Sequence, residues 1–216
     1  MIGRHGAQRA SSTPHVARVI LAATLAAFLV APAASATAVR PASTAATTGT
    51  VTATVTTYPY APWLVEEAFY LRLVNCTRTG GWVLKDGSCS GYGSGRYSAY
   101  VRPLVRSGGI SDKVTRPYAK LIAIKAYCGH YLDHDVGYRL RRAGYNGTWW
   151  GENVACRDST LSVHGSVLWG HLQFQSERSY NGPHWKNMKN AHYTYIGIGV
   201  WRYSNRVRLV TDFWRP

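Results

Sequence analysis

Acidic residues are scarce in this chain: 10 Asp plus Glu stand against 25 Lys plus Arg, a formal net charge of +15. A field of that sign favours anionic partners, among them anionic cell-wall polymers, lipid surfaces and nucleic acids, without choosing between them. Long apolar runs are equally scarce. Beyond Val30 no segment is long and uncharged enough to span a bilayer. There are only 4 cysteines, and none forms a C-x-x-C pair, which argues against a cysteine zinc module. The chain also lacks H-E-x-x-H, any other compact catalytic motif and any internal repeat. What is present supports a packed core: 216 residues, 46% of them hydrophobic, enough for one ordinary domain and a short appendage.

The N-terminus narrows the compartment. Arg4, Arg9 and Arg18 precede an uncharged run from Val19 to Val30, and Ala34-Ser35-Ala36 follows as a small-residue cleavage pattern. This is the pattern of a secretory signal peptide over residues 1–36. The run is shorter than the roughly 20 residues a membrane helix needs. A secreted, extracellular protein without a transmembrane span is therefore expected, and nucleic acid becomes an improbable partner. Residues 37–57, rich in Ala, Thr, Val and Pro, read as an extended linker, with Val51 to Thr57 alternating like a stray edge strand. The domain proper is expected over 58–216.

Cys76, Cys89, Cys128 and Cys156 suit an oxidising compartment. Cys76 with Cys89 and Cys128 with Cys156 is the expected pairing, since each is a sequential neighbour closing a loop of moderate length.

Pro62 opens a helix from about Trp63 to Thr77, with Leu64, Ala68, Leu71 and Asn75 on its apolar face and Gly80-Gly81 as its stop. Residues 80–113 form a Gly-, Ser- and Tyr-rich insertion whose shape cannot be read from sequence. A second helix follows Thr115, has Pro117 in its first turn, runs to about Tyr127 and buries Leu121 and Ile124. A third spans Asp135 to Ala143, with Asp135 as N-cap and Gly144 as its stop. Its Arg139, Arg141 and Arg142 read as a solvated face. Thr148 to Cys156 is an aromatic, strand-like run broken at Gly151-Glu152-Asn153. A fourth helix is expected from Asp158 to Glu177, capped by Asp158 or Ser159. Two strands, Tyr195 to Trp201 and Val207 to Phe213, close the chain as a hairpin around a four-residue turn, Arg202 to Asn205. Helices flanking an antiparallel hairpin point to an α/β protein, a three-layer α/β/α sandwich with a central, mainly antiparallel sheet.

Glu152 is a carboxylate inside an apolar segment, and an unpaired buried charge is costly. If Cys128 bonds Cys156, His130 is held near it. Glu177 and His184 form a second acid–imidazole pair at the helix-to-sheet connection. Two imidazoles and two carboxylates around one cleft suffice for zinc or another divalent metal, although the same four also suit a structural hydrogen-bond cluster. Trp185 and Asn153 are the candidate ligand-lining residues beside them, while Trp149, Trp150, Trp201 and Trp214 read mainly as core.

Taken in order, LVNCTR at Leu73 to Arg78, CGH at Cys128 to His130, RLRRAGY at Arg139 to Tyr145, GEN at Gly151 to Asn153, and PHWKNM followed by GIGVW resemble the CAP superfamily. That family comprises the cysteine-rich secretory, antigen 5 and pathogenesis-related 1 proteins, and the likeness is to its bacterial, SCP-like branch. The resemblance covers about Trp63 to Phe213. It implies an α/β/α sandwich whose cleft holds two histidines and two acids, here His130, Glu152, Glu177 and His184, with His134 the competitor for the first position and Pro183 replacing the usual glycine before His184. The expected function is a secreted binding protein whose His/Glu cleft holds a divalent metal or small ligand and whose basic surface meets anionic cell-wall polymer or lipid. The alternative is a metal-assisted hydrolase of peptide, ester or cell-wall bonds, with Glu152 or Glu177 as general base.

Overall fold

The computed structural model describes residues 61–216. The leader at 1–36, the linker at 37–57 with its alternating Val51 to Thr57, and the domain start at Tyr58 lie outside the described residues. The chain begins with helix α1 (Leu64–Arg78), a short hairpin of β1 (Trp82–Val83) and β2 (Cys89–Ser90), and strand β3 (Val105–Arg106). A continuous helical stretch follows: α2 (Gly108–Ile110), a π turn over Ser111–Thr115 and α3 (Arg116–Ile124). Next come α4 (Val136–Arg142), β4 (Trp149–Asp158) and α5 (Val163–Ser176), which ends in a 3-10 turn over Glu177–Tyr180. Helix α6 (Pro183–Lys189) and the hairpin of β5 (Tyr195–Tyr203) and β6 (Arg206–Arg215) complete it.

The main sheet has four strands in the order β3-β5-β6-β4. Only β3 pairs in parallel; β5 with β6 and β4 with β6 are antiparallel. Side-chain alternation then divides the layers. Ala155, Ile196, Ile198, Val200 and Leu209 pack with α1, α5 and α6. Val154 and Val210 pack on Tyr118, Ala119 and Ile122 of α3. The result is the expected three-layer α/β/α sandwich.

The Gly-Ile-Gly run of β5 has a steric origin. A Cβ at Gly197 would fall 2.3 Å from Cγ2 of Ile110, and one at Gly199 would fall 2.5 Å from the carbonyl oxygen of Thr115. The π turn lies against bare backbone there, while Ile198 between the glycines points into the opposite core.

Strand β4 is an edge of this sheet, and part of its edge is closed. The Trp150 carbonyl accepts a hydrogen bond from Tyr193 Oη at 2.9 Å, and the Glu152 carbonyl accepts one from Asn187 Nδ2 at 3.0 Å.

Several expectations need correction. The buried face of α1 is not Leu64, Ala68, Leu71 and Asn75 but Glu67, Phe69, Tyr70, Leu73, Val74, Cys76, Thr77 and Arg78; Leu64 is 48% exposed. Hydropathy alone rejects that face because it carries charge. The charges are satisfied in place: Glu67 accepts from Arg106 Nη2 and Arg116 Nε, each at 2.5 Å. Arg78 has no acid beside it among the described residues and donates instead to the carbonyls of Arg102, Met188, Asn190 and Tyr193, at 2.6–3.2 Å. Burial lowers its pKa to about 10. Lys189 Nζ likewise rests on the carbonyls of Thr77, Arg78 and Ala99, and desolvation lowers its pKa to about 8.

The insertion at 80–113 is not a plain loop: it supplies β1, β2, β3 and the start of the helical stretch, with Cys89 bonded to Cys76 as expected. Helix α3 ends at Ile124, which is exposed, and it buries Tyr118, Ala119, Ile122 and Ala123 instead. Strand β4 runs unbroken through Gly151-Glu152-Asn153, because every residue from Trp149 to Asp158 has a partner on β6. That pairing also delays α5, whose N-cap is Ser162, its Oγ accepting from the Gly165 amide at 3.0 Å. The hairpin turn is two residues, with Ser204 at φ 55. Trp149 and Trp150 are 42% and 41% exposed rather than core.

Candidate functional site

The Cys128–Cys156 disulfide, with a Cα–Cα distance of 5.9 Å, ties the segment after α3 to the C-terminal end of β4. Tyr118 Oη holds the same segment by donating to the Gly129 carbonyl at 2.8 Å. His130 is thereby placed with Nδ1 2.8 Å from Glu152 Oε1. Of the two histidines open to that position, His130 takes it. His134 instead stacks on Tyr138 with ring centroids 4.1 Å apart, and Asp135 caps α4 through the Tyr138 amide.

Glu152 is the hub of a larger network. Its other oxygen accepts from Arg139, which is not on a solvated face: the guanidinium is buried, lies 3.6 Å over the Tyr118 ring, and donates to the carbonyls of His130 at 2.9 Å and His134 at 2.6 Å. Arg141 and Arg142 do remain at the surface. Opposite Glu152 in the β4–β6 register stands Asp212, fully buried and accepting from Thr115 Oγ1 at 3.0 Å. Burial, then the neighbouring Glu152 carboxyl, raises the Asp212 pKa well above the ordinary carboxylate range. The network therefore runs from a half-exposed imidazole, His130, inward to a buried acid.

The second pair is built differently. Glu177 sits in the turn after α5 and His184 in the first turn of α6, with Glu177 Oε1 2.5 Å from His184 Nδ1. The other carboxylate oxygen accepts from the backbone amides of His184 at 2.8 Å and Trp185 at 3.4 Å, so Glu177 serves as the N-terminal cap of α6. The His184 ring stacks on Phe174, centroids 4.5 Å apart. Asn153 Nδ2 donates to the His184 carbonyl at 3.1 Å, and Asn187 donates to Asn153 Oδ1 at 2.8 Å. Asn153 is fully buried, and Trp185 belongs to the core cluster.

Consecutive residues of a strand point to opposite faces. Glu152 reaches Arg139 of α4 while Asn153 reaches the backbone of α6, and Asn187 of α6 in turn donates to the Glu152 carbonyl. The structure joins the four residues as two acid–imidazole pairs, His130 with Glu152 and His184 with Glu177. Among the described residues no three His, Cys, Asp or Glu side chains are grouped so as to hold one ion. Glu152 is moreover engaged by a guanidinium and Glu177 by backbone amides. Each carboxylate holds the Nδ1 of its histidine, so among the described residues the ring donors left open in these two pairs are the Nε2 atoms of His130 and His184. The serines nearest the second pair are also committed: Ser176 Oγ donates to the Gln173 carbonyl at 2.7 Å and Ser179 Oγ to the Ser176 carbonyl at 3.1 Å.

Sequence reasoning missed Arg139, Asp212, Thr115 and Tyr118. Asp212 carried the signal used for Glu152, a lone acid in an apolar strand; Arg139 carried none. A groove of about 430 Å³ opens between α3 and α4, with Tyr118 and Arg139 in its lining.

As a class, then, the chain is an α/β/α sandwich with a mainly antiparallel sheet and two acid–imidazole pairs. It is similar to an extracellular SCP-domain protein from Bacillus anthracis str. Ames, with 19% identity and a TM-score of 0.49 over 73% of this chain and 45% of that one. It is also similar to NaASP2 in its crystal structure with Zn2+, at 14% identity and TM-score 0.45, over 68% of this chain and 78% of that one. An Ancylostoma-secreted protein matches at 12% identity and TM-score 0.43, over 70% of this chain and 69% of that one. This chain spans less than half the length of the Bacillus protein. All three scores lie below 0.5, and nothing about the site follows from them. No protein-family model and no curated protein matches the chain.

Proposed function

We propose that this chain is a secreted, CAP-like binding protein, not a hydrolase, and that its basic surface retains it on anionic extracellular polymer. The observation that carries this reading is the engagement of both candidate general bases and of the serines nearest them. Glu152 is held by Arg139 and His130, Glu177 by α6 backbone amides and His184, and Ser176 and Ser179 by backbone carbonyls. A general base must reach the proton it abstracts and a serine nucleophile needs a base beside it; here the two carboxylates are held by groups of the fold and the two serine hydroxyls donate to backbone carbonyls. The charge balance, 25 Lys plus Arg against 10 Asp plus Glu, supports an anionic partner. Secretion is supported by the leader pattern at 1–36 and by two disulfides. The test is co-sedimentation with an insoluble anionic cell-wall preparation across a salt series, beside a panel of peptide, ester and glycan substrates. Retention that weakens steeply with salt, without turnover, is expected. Turnover that vanishes in Glu152→Gln would replace this reading with the hydrolase.

A further inference from the structure

The groove between α3 and α4 is lined on one wall by Val114, Pro117 and Leu121 and on the other by Ala143, with Tyr118 between. Its charged lining is Lys113, Arg139, Arg142 and Asp133. Arg139 is paired with Glu152, and Arg142 Nη2 lies 2.7 Å from Asp133 Oδ2, whereas Lys113 makes no ion pair among the described residues. The groove therefore carries one positive charge in excess. Arg139 adds a second signal: it is 3% exposed, and its Nε has no hydrogen-bond partner among the described residues. A buried, unpartnered donor is costly and calls for an acceptor. At about 430 Å³ the space exceeds what a bare anion fills, and its apolar walls suit organic arms on either side.

From these features we infer that the α3/α4 groove seats one phosphodiester: a singly charged oxyanion with an apolar or polyol arm on each side. The inference rests on the anionic-polymer reading above and names the repeating group such a polymer would present. Lys113 supplies the unpaired charge, Arg142 with Asp133 forms the rim, and the ester arms lie along Pro117, Leu121 and Ala143. A phosphate monoester brings a second charge that the groove does not answer, and a simple carboxylate has one arm where the groove has two walls.

The experiment is a nitrogen-15 NMR titration of the full secreted chain with diethyl phosphate, repeated with butyrate. Saturable shifts centred on the Lys113, Leu121 and Ala143 amides are expected, with butyrate weaker. Lys113→Ala, a change at an exposed side chain, should weaken binding about tenfold, roughly the loss of one charge-assisted contact. Arg141→Gln, one position from Arg142 but outside the groove and near Trp150, should leave it within about twofold. Equal weakening by Arg141→Gln and Lys113→Ala overturns the seat in favour of diffuse charge. So do shifts scattered over other faces, or butyrate binding as tightly as diethyl phosphate. A second arm measures retention on poly(glycerol phosphate) immobilised on beads. Retention unchanged by Lys113→Ala sinks the groove and spares the anionic-polymer reading; a groove that saturates with diethyl phosphate while the beads retain nothing does the reverse.

Discussion

Glu152 and Glu177 each hold the Nδ1 of a histidine, at 2.8 and 2.5 Å, but from different depths. The Glu152 side chain is 2% exposed and shares its surroundings with a guanidinium and a second buried acid; the Glu177 side chain is 12% exposed and faces the amides of a helix terminus. In the first pair the imidazole is the open end of a buried charge network. In the second, the carboxylate is a cap and the imidazole is steadied by it. The same two residue types thus do different work according to what else can reach the carboxylate. A third imidazole extends the contrast: His171 is fully buried, has no acid partner among the described residues, and its Nε2 lies 3.0 Å from Thr77 Oγ1. Desolvation lowers its pKa to about 3.

The sharpest way to break this comparison is Arg139→Met. Removing the guanidinium leaves Glu152 and Asp212 buried together without a cation, and a loss of about 3–5 kcal/mol is expected in urea denaturation. Adding Glu152→Gln should recover part of it; full additivity of the two changes would show that the residues are not coupled. Replacing Cys128 and Cys156 by serine should cost about 2–4 kcal/mol. It should also release His130 from Glu152, visible as a changed His130 ring shift, while His184 stays unmoved.

His171 gives a pH signature. Its folded pKa lies below the unfolded value of 6.5, so the unfolded chain takes up a proton near pH 6.5 and the folded chain only near pH 3. Stability contributed by the neutral ring is complete above pH 6.5 and is lost as pH falls toward 3. His171→Gln should flatten the stability-against-pH curve between pH 6 and 4 by about 2–3 kcal/mol. An unchanged curve would mean that the ring can be hydrated in place. The smallest effect is expected for Glu177→Gln: about 1 kcal/mol, the usual size of a lost helix cap. A cost as large as that of Arg139→Met would erase the distinction between cap and network.

Much of the architecture was legible because it rests on local chemistry. Asp135 and Gly144 bound α4 as their types imply, the Tyr195–Phe213 pattern is a hairpin, and the sequential cysteine pairing holds. What was illegible depends on distant partners. Glu67 and Arg78 lie on the buried face of α1 only because Arg106, Arg116 and the carbonyls near Met188 come to them. The strand through Glu152 looked broken because its neutralising Arg139 lies on another element, among arginines that do face water. The site was half legible for the same reason. The disulfide argument brought His130 to Glu152, but no spacing rule says that residues 152 and 153 send their side chains to opposite layers until the strand is known to be unbroken.

The closed edge of β4 bears on how this chain behaves when crowded. An open strand edge lets two copies dock and extend one sheet, a process whose rate climbs with concentration. Tyr193 and Asn187 occupy the Trp150 and Glu152 carbonyls, which lie in the most aromatic part of that edge. A second copy would first have to displace two hydrogen bonds already made within the chain. Tyr193→Phe, which keeps the ring in the core and removes only the hydroxyl on the Trp150 carbonyl, should shorten the lag before aggregation without much change in melting temperature, separating colloidal resistance from thermodynamic stability.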